Sequence, residues 1–130
     1  MGKEPIRTDQ APQPGGAYSQ GMRVGDLVFV SSQGAGDPQT GKLAGDTIEE
    51  QTAQTLKNVL AILAAAGATP ADVVKVTVYL SDLSLFARYN AVYTAMLPDP
   101  KPARTTVGSI LPTGMLIVID AIAQVGAGEG

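Results

Sequence analysis

The chain has no cysteine, no histidine and no tryptophan. Without cysteine there are no disulfides, no thiolate nucleophile and no Cys-based zinc site. Without histidine as well, neither a Ser-His-Asp nor a Cys-His triad is possible, and a metal would have to be held by oxygen ligands alone. Chemistry therefore falls to Arg, Tyr, Ser, Thr, carboxylates, backbone groups or water. Positive charge is sparse too. Nine Lys and Arg stand against twelve Asp and Glu, for a net charge of −3. The basic residues form no run, so the footprint for gripping a phosphate backbone is missing and nucleic acid is not an expected partner. No stretch reaches the roughly eighteen uninterrupted apolar residues of a membrane span. The opening Met1-Gly2-Lys3-Glu4-Pro5 has no apolar core of a signal peptide. The expectation is a cytoplasmic protein that does not meet a membrane.

What is present favours one compact domain spanning residues 1–130, since two domains at this length would each be too small to build a core. Apolar residues make up 45% and charged residues 16%, too hydrophobic and too weakly charged for disorder. Residues 1–17, with Pro5, Pro12, Pro14, Gly15 and Gly16, resist helix and suit an extended arm ending in a turn. Residues 18–22 suit a short strand, and residues 26–32, rich in β-branched and aromatic side chains, a longer one. Turn formers crowd residues 37–42 into a loop.

Thr47 followed by Glu50 matches a capping box, and the run without Gly or Pro predicts a helix to Ala66, stopped by Gly67. Leu56, Val59, Leu60 and Leu63 recur at three and four, giving one apolar stripe. Residues 73–80 read as a strand, with Val74, Val76 and Val78 on one side and Val73, Lys75, Thr77 and Tyr79 on the other. A second helix is expected from about Leu83 to Met96, broken by Pro98, Pro100 and Pro102. Strands over 104–110 and 115–124 follow, and residues 126–130 are expected to fray. The order β-β-α-β-α-β-β fits an α+β two-layer sandwich, one mixed sheet with both helices on one face. The other sheet face then needs cover. Its Lys, Thr and Tyr are compatible with subunit contact and equally with water.

Several ordered motifs run through nearly the whole chain. They include Gly16-Ala17-Tyr18-Ser19-Gln20, Val30-Ser31-Ser32-Gln33, Ala64-Ala65-Ala66-Gly67 and Lys75-Val76-Thr77-Val78-Tyr79-Leu80. Tyr89-Asn90-Ala91-Val92-Tyr93, Pro102-Ala103-Arg104-Thr105, Leu111-Pro112 and Ile119-Asp120-Ala121-Ile122-Ala123 complete the set. Each alone is weak, but in this order and spacing the chain resembles the reactive intermediate deaminase family, also called Rid or YjgF. The resemblance implies a homotrimer built around a barrel of sheets, with helices outside and ligand clefts at the subunit interfaces. It implies hydrolysis of reactive 2-enamines and 2-imines, released by pyridoxal-phosphate enzymes, to 2-ketoacids and ammonia without a cofactor. Such chemistry suits a chain lacking His and Cys, because water attack on an electrophilic iminium carbon needs positioning and charge stabilisation more than a strong nucleophile.

By the same resemblance Arg104 binds the substrate carboxylate, for which its planar fork of donors is suited. The plainer alternative is an Arg that opens a strand and neutralises a nearby acid. Tyr18 is implied to wall the cleft and reach substrate or water with its hydroxyl; otherwise it is a packing anchor after a turn. Ser31 is implied to reach the ligand, or else satisfies a backbone group at a strand end. Arg104, Tyr18 and Ser31 form the implied catalytic set, and Ser32, Thr106 and Val118 further substrate-lining positions. Thr106 could help hold the attacking water, although a β-branched strand filler is an equal reading. Asn90 and Tyr93, three apart on a helix, read as structural.

Two departures bear on activity. Where family deaminases carry a cleft glutamate that orients water, this chain has Val118. Asp120 lies two residues on, roughly 7 Å along a strand. General acid-base help of that kind is typically worth about 10²- to 10⁴-fold. Ser32 stands where glycine is usual. The competing readings are a non-catalytic binder or regulator of small carboxylates, and a pathway enzyme acting on a bulkier unsaturated carboxylate with Val118 as apolar contact. Ribonuclease activity has also been attached to the family, but weak basic character and missing histidines argue against it here.

Overall fold

The structure, a computed structural model, describes residues 2–129. Eight regular elements follow one another: β1 (Glu4–Ile6), β2 (Gly21–Val24), β3 (Leu27–Gln33), α1 (Ile48–Ala65), β4 (Val73–Leu80), α2 (Phe86–Met96), β5 (Ala103–Gly108) and β6 (Ile117–Gln124). The strands form one sheet in the order β1-β2-β3-β6-β4-β5. Only β4 and β5 pair in parallel, joined through α2; the other neighbours are antiparallel. The result is the α+β layering expected: two helices on a mixed sheet. Their common core takes Leu56, Val59, Ile62 and Leu63 from α1, Tyr89 and Tyr93 from α2, and alternate residues of β3, β4 and β6. Each such aliphatic side chain contributes about 1.5–3 kcal/mol.

Helix α1 begins as its sequence requires. Thr47 accepts from the Glu50 backbone N–H while Glu50 reaches back to the Thr47 backbone, and the helix ends before Gly67, whose φ of +86° suits glycine. At Gly21 a Cβ would sit 2.8 Å from a methyl of Ile62, so glycine lets α1 close down on β2.

Several expectations need correction. The N-terminal arm is not merely extended, because residues 4–6 pair with β2 as an edge strand, where Pro5 is tolerated. The strand expected over 18–22 starts only at Gly21. Leu83–Leu85 is a 3₁₀ turn capped by Asp82, and the α-helix begins at Phe86. The last two strands are shorter than expected, ending at Gly108 and starting at Ile117. A register shift between Val73 and Lys75 breaks the alternation in β4, so Val73 is buried while Val74 is exposed, apart from Val76 and Val78. The tail is pinned rather than frayed: Ala127–Glu129 forms a 3₁₀ turn, and Gly128 N–H donates to Asp72 Oδ1 at 2.8 Å. Gly130 lies outside the described residues.

The face of the sheet turned away from the helices is mixed. Lys75, Thr77 and Tyr79 of β4 stand beside Ile122, Asp120 and Val118 of β6, with Phe29 and Leu27 of β3 beyond. Phe29 and Leu27 are exposed in the single chain.

Candidate functional site

Strand β5 is an edge strand, and alternation turns Arg104 and Thr106 toward the helix layer and Thr105 toward the open face. Opposite them, Phe86, Tyr89, Asn90 and Tyr93 share one face of α2, at spacings of three and four. The Arg104 guanidinium carbon lies 5.4, 5.6 and 4.7 Å from the ring centres of Phe86, Tyr89 and Tyr93. Edge-on contacts fix the rings against one another, Phe86 to Tyr89 at 5.3 Å and Tyr89 to Tyr93 at 6.1 Å. A cation over an aromatic face is worth about 0.5–2 kcal/mol, more as water is removed. Three rings therefore hold the half-buried guanidinium without neutralising it.

Its polar partner is also neutral. Arg104 Nη1 donates to Asn90 Oδ1 at 2.6 Å. The ion pairs among the described residues are Arg23–Asp26, Arg88–Glu49 and Lys101–Asp99, and none involves Arg104. An arginine serving only to neutralise an acid would have a carboxylate here. What stands instead is a positive fork with donors to spare at the rim of a cavity of about 320 Å³ lined by Asn90, Tyr93, Thr94, Lys101, Pro102 and Arg104.

Thr106 Oγ1 lies 2.6 Å from Tyr89 Oη, so its hydroxyl is engaged in setting the Tyr89 ring under the arginine. Tyr93 Oη is buried without a hydrogen-bond partner among the described residues. Burial pushes this phenol up to about 12, with the positive charge of Arg104 pulling the other way.

The remaining sequence candidates lie elsewhere. Tyr18 is exposed in the loop before β2, its hydroxyl accepting from Gly15 N–H at 3.2 Å. Ser31 donates its Oγ to the Ser19 carbonyl at 2.7 Å, tying the end of β3 to that loop. Ser32 and Tyr18 line a shallow cleft with Gln33, Gly34 and Met115. Between β3 and β5 the sheet interposes β6 and β4, three strand spacings or roughly 14 Å. One chain thus brings Arg104 and Thr106 together and leaves Tyr18, Ser31 and Ser32 at a distance. Val118 belongs to neither group. It points to the open face of β6 beside Tyr79, and Tyr79 Oη donates to Asp120 Oδ2 at 3.1 Å. That bond, with burial, raises the Tyr79 pKa above its ordinary value.

Sequence reasoning read Asn90 and Tyr93 as structural. Tyr93 is indeed in the core, but both also contact Arg104, and Phe86 and Tyr89 were not singled out as site residues. Their common helical face was visible in the sequence; that Arg104 would stand opposite it was not. Among the described residues no group of three or more His, Cys, Asp or Glu side chains gathers as a metal site. No described helix is long and apolar enough to cross a membrane.

Known proteins resemble this chain along almost its full length. The family model described as Endoribonuclease L-PSP matches residues 8–125. A RutC family protein of Pyrococcus abyssi is 49% identical over 124 residues, covering 95% of this chain and 98% of that protein. The chloroplastic Reactive Intermediate Deaminase A of Arabidopsis thaliana is 42% identical over 122 residues, 93% of this chain and 65% of that protein. The crystal structure of Escherichia coli TdcF with bound serine superposes with a TM-score of 0.87 at 36% identity, covering 93% of this chain and 98% of that one. The chain belongs to the reactive intermediate deaminase (Rid/YjgF) family, the family described as Endoribonuclease L-PSP.

Proposed function

We propose that the protein is an enamine/imine deaminase of the cytoplasm that converts reactive 2-imino and 2-enamino carboxylates to 2-ketoacids and ammonia. The observation that carries this reading is the Arg104 guanidinium, caged by three rings, bonded to the neutral Asn90 and paired with no acid among the described residues. Such a group is arranged to receive a carboxylate from outside the chain. With the substrate carboxylate fixed there, the adjacent electrophilic carbon meets water in a set orientation, and no protein nucleophile is required. The name of the Arabidopsis relative supports the reaction, and the serine bound by TdcF supports a small amino-acid-like ligand.

The separation of Tyr18 and Ser31 from Arg104 supports a site completed by a second copy. In a homotrimer, the β5 edge of one subunit would face the Tyr18–Ser32 region of the next, and the open sheet face carrying Leu27 and Phe29 would be covered. An endoribonuclease reading fits poorly with a net charge of −3 and no histidine.

One observation favours a second reading. Val118 leaves the cleft glutamate position without a carboxylate, and Asp120 is already engaged by Tyr79, so the protein would bind small carboxylates without efficient turnover. The test is ammonia or ketoacid release when an amino-acid oxidase generates 2-iminopropionate, with wild type and Arg104→Ala compared. Acceleration lost in the variant is the expected result. No acceleration by a folded wild type would remove the deaminase reading and leave the binder.

A further inference from the structure

The cavity beside Arg104 contains more positive charge than one carboxylate needs. Lys101 shares its lining, with no acidic side chain among the lining residues. The Lys101 ammonium donates to the Thr94 carbonyl at 2.7 Å and to the Leu97 carbonyl at the end of α2. Two neutral acceptors orient a lysine without cancelling its charge, and an ammonium has three donors. The one carboxylate near it, Asp99 at 3.7 Å, belongs to a side chain 86% exposed, so water and salt weaken that pair. Tyr93, also in the lining, has the buried hydroxyl for which no partner stands among the described residues. Native structures seldom leave such a group idle.

We infer that Lys101, assisted by the Tyr93 hydroxyl, forms a second anion subsite in the Arg104 cavity, so that the preferred ligand is a small dicarboxylate. This inference rests on the reading of Arg104 as a carboxylate anchor. One carboxylate takes the guanidinium fork; the second takes the ammonium proton not used on the α2 carbonyls. A volume of about 320 Å³ accommodates a chain of four or five carbons carrying both groups. Lys101 thereby selects among substrates of the same reaction rather than performing it.

The test is calorimetric binding of length-matched pairs, succinate against butyrate and glutarate against pentanoate, to wild type, Lys101→Met, Tyr93→Phe and Arg104→Ala. Wild type is expected to prefer one dicarboxylate by about tenfold, the worth of one charge-assisted contact. In Lys101→Met that ratio falls to near one, and in Tyr93→Phe it falls part of the way. Reading the ratio within each variant cancels any general loss of binding, and Tyr93→Phe keeps the ring in place should loss of the Lys101 cap disturb α2. Equal affinities in wild type, or a preference unchanged in both variants, overturn the inference while Arg104-dependent butyrate binding leaves the anchor standing. If no carboxylate binds through Arg104, both readings fall.

Discussion

The two ends of the sheet differ in how far their polar side chains are engaged within the chain. Around the turn that leads into β2, polar groups are fully engaged with backbone. Gln20 accepts from Thr8 N–H and donates to the carbonyls of Thr8, Ala11 and Pro12, while Ser31 holds the Ser19 carbonyl. At the β5 edge the guanidinium of Arg104 has one neutral hydrogen-bond partner among the described residues and the Tyr93 hydroxyl none. Satisfied polar groups fix a chain path, whereas a guanidinium with donors left over beside a cavity is open to a ligand. The contrast teaches that the two edges differ in how completely their polar groups are spent within the chain.

The sharpest way to break that contrast is Gln20→Ala. The residue is 1% exposed, and removal of its side-chain amide orphans several backbone groups, so urea unfolding should show a loss of about 2–4 kcal/mol. A loss below about half a kcal/mol would show that the arm holds itself. Thr106→Val tests the other edge. The Tyr89 hydroxyl, on a residue with no exposed surface, loses its partner, and destabilisation of about 1–2 kcal/mol is expected in the same assay. Tyr93→Phe should go the other way. Deleting a buried hydroxyl that has no partner among the described residues is expected to gain about 1 kcal/mol, and a loss would mean the hydroxyl is satisfied.

The smallest effect concerns the clamp between the helices, where Arg88 holds Glu49 in a two-pronged ion pair at 2.7 and 2.8 Å. The Arg88 hydrogen bond lowers the Glu49 carboxyl from 4.5 to about 2. A carboxylate depressed on folding stabilises the native state above its ordinary value, and that contribution fades as pH falls toward about 2. The difference in Tm between wild type and Glu49→Gln should therefore be small and constant at neutral pH and vanish on acidification from about 4.5 to about 2. A difference independent of pH would show that the pair contributes packing, not charge.

Features with a local cause were legible in the sequence. The capping box at Thr47, the stop at Gly67 and the apolar run of β4 each follow from neighbours along the chain, and each stands in the structure. Features caused by distant partners were not legible. Strand β1 has three residues including a proline and exists because β2 pairs with it. Val74 is displaced by a shift against β6, and the tail is ordered by a carboxylate 56 residues earlier. The site divides along the same line. Arg104 was singled out by its motif, yet Phe86, Tyr89, Asn90 and Tyr93 have the same spacing whether a helix packs a core or cages a cation. Only the parallel crossover that sets β5 opposite α2 distinguishes the two.

The interposition of β6 and β4 between Ser31 and Arg104 has a genetic consequence. If a working cleft joins the β5 edge of one copy to the Tyr18 region of another, a chain damaged at Arg104 and a chain damaged at Tyr18 are each inactive alone. Co-expressed, they would form mixed assemblies in which some clefts receive an intact half from each parent, so two null alleles would complement one another. Were all the groups supplied by a single chain, the same cross would restore nothing.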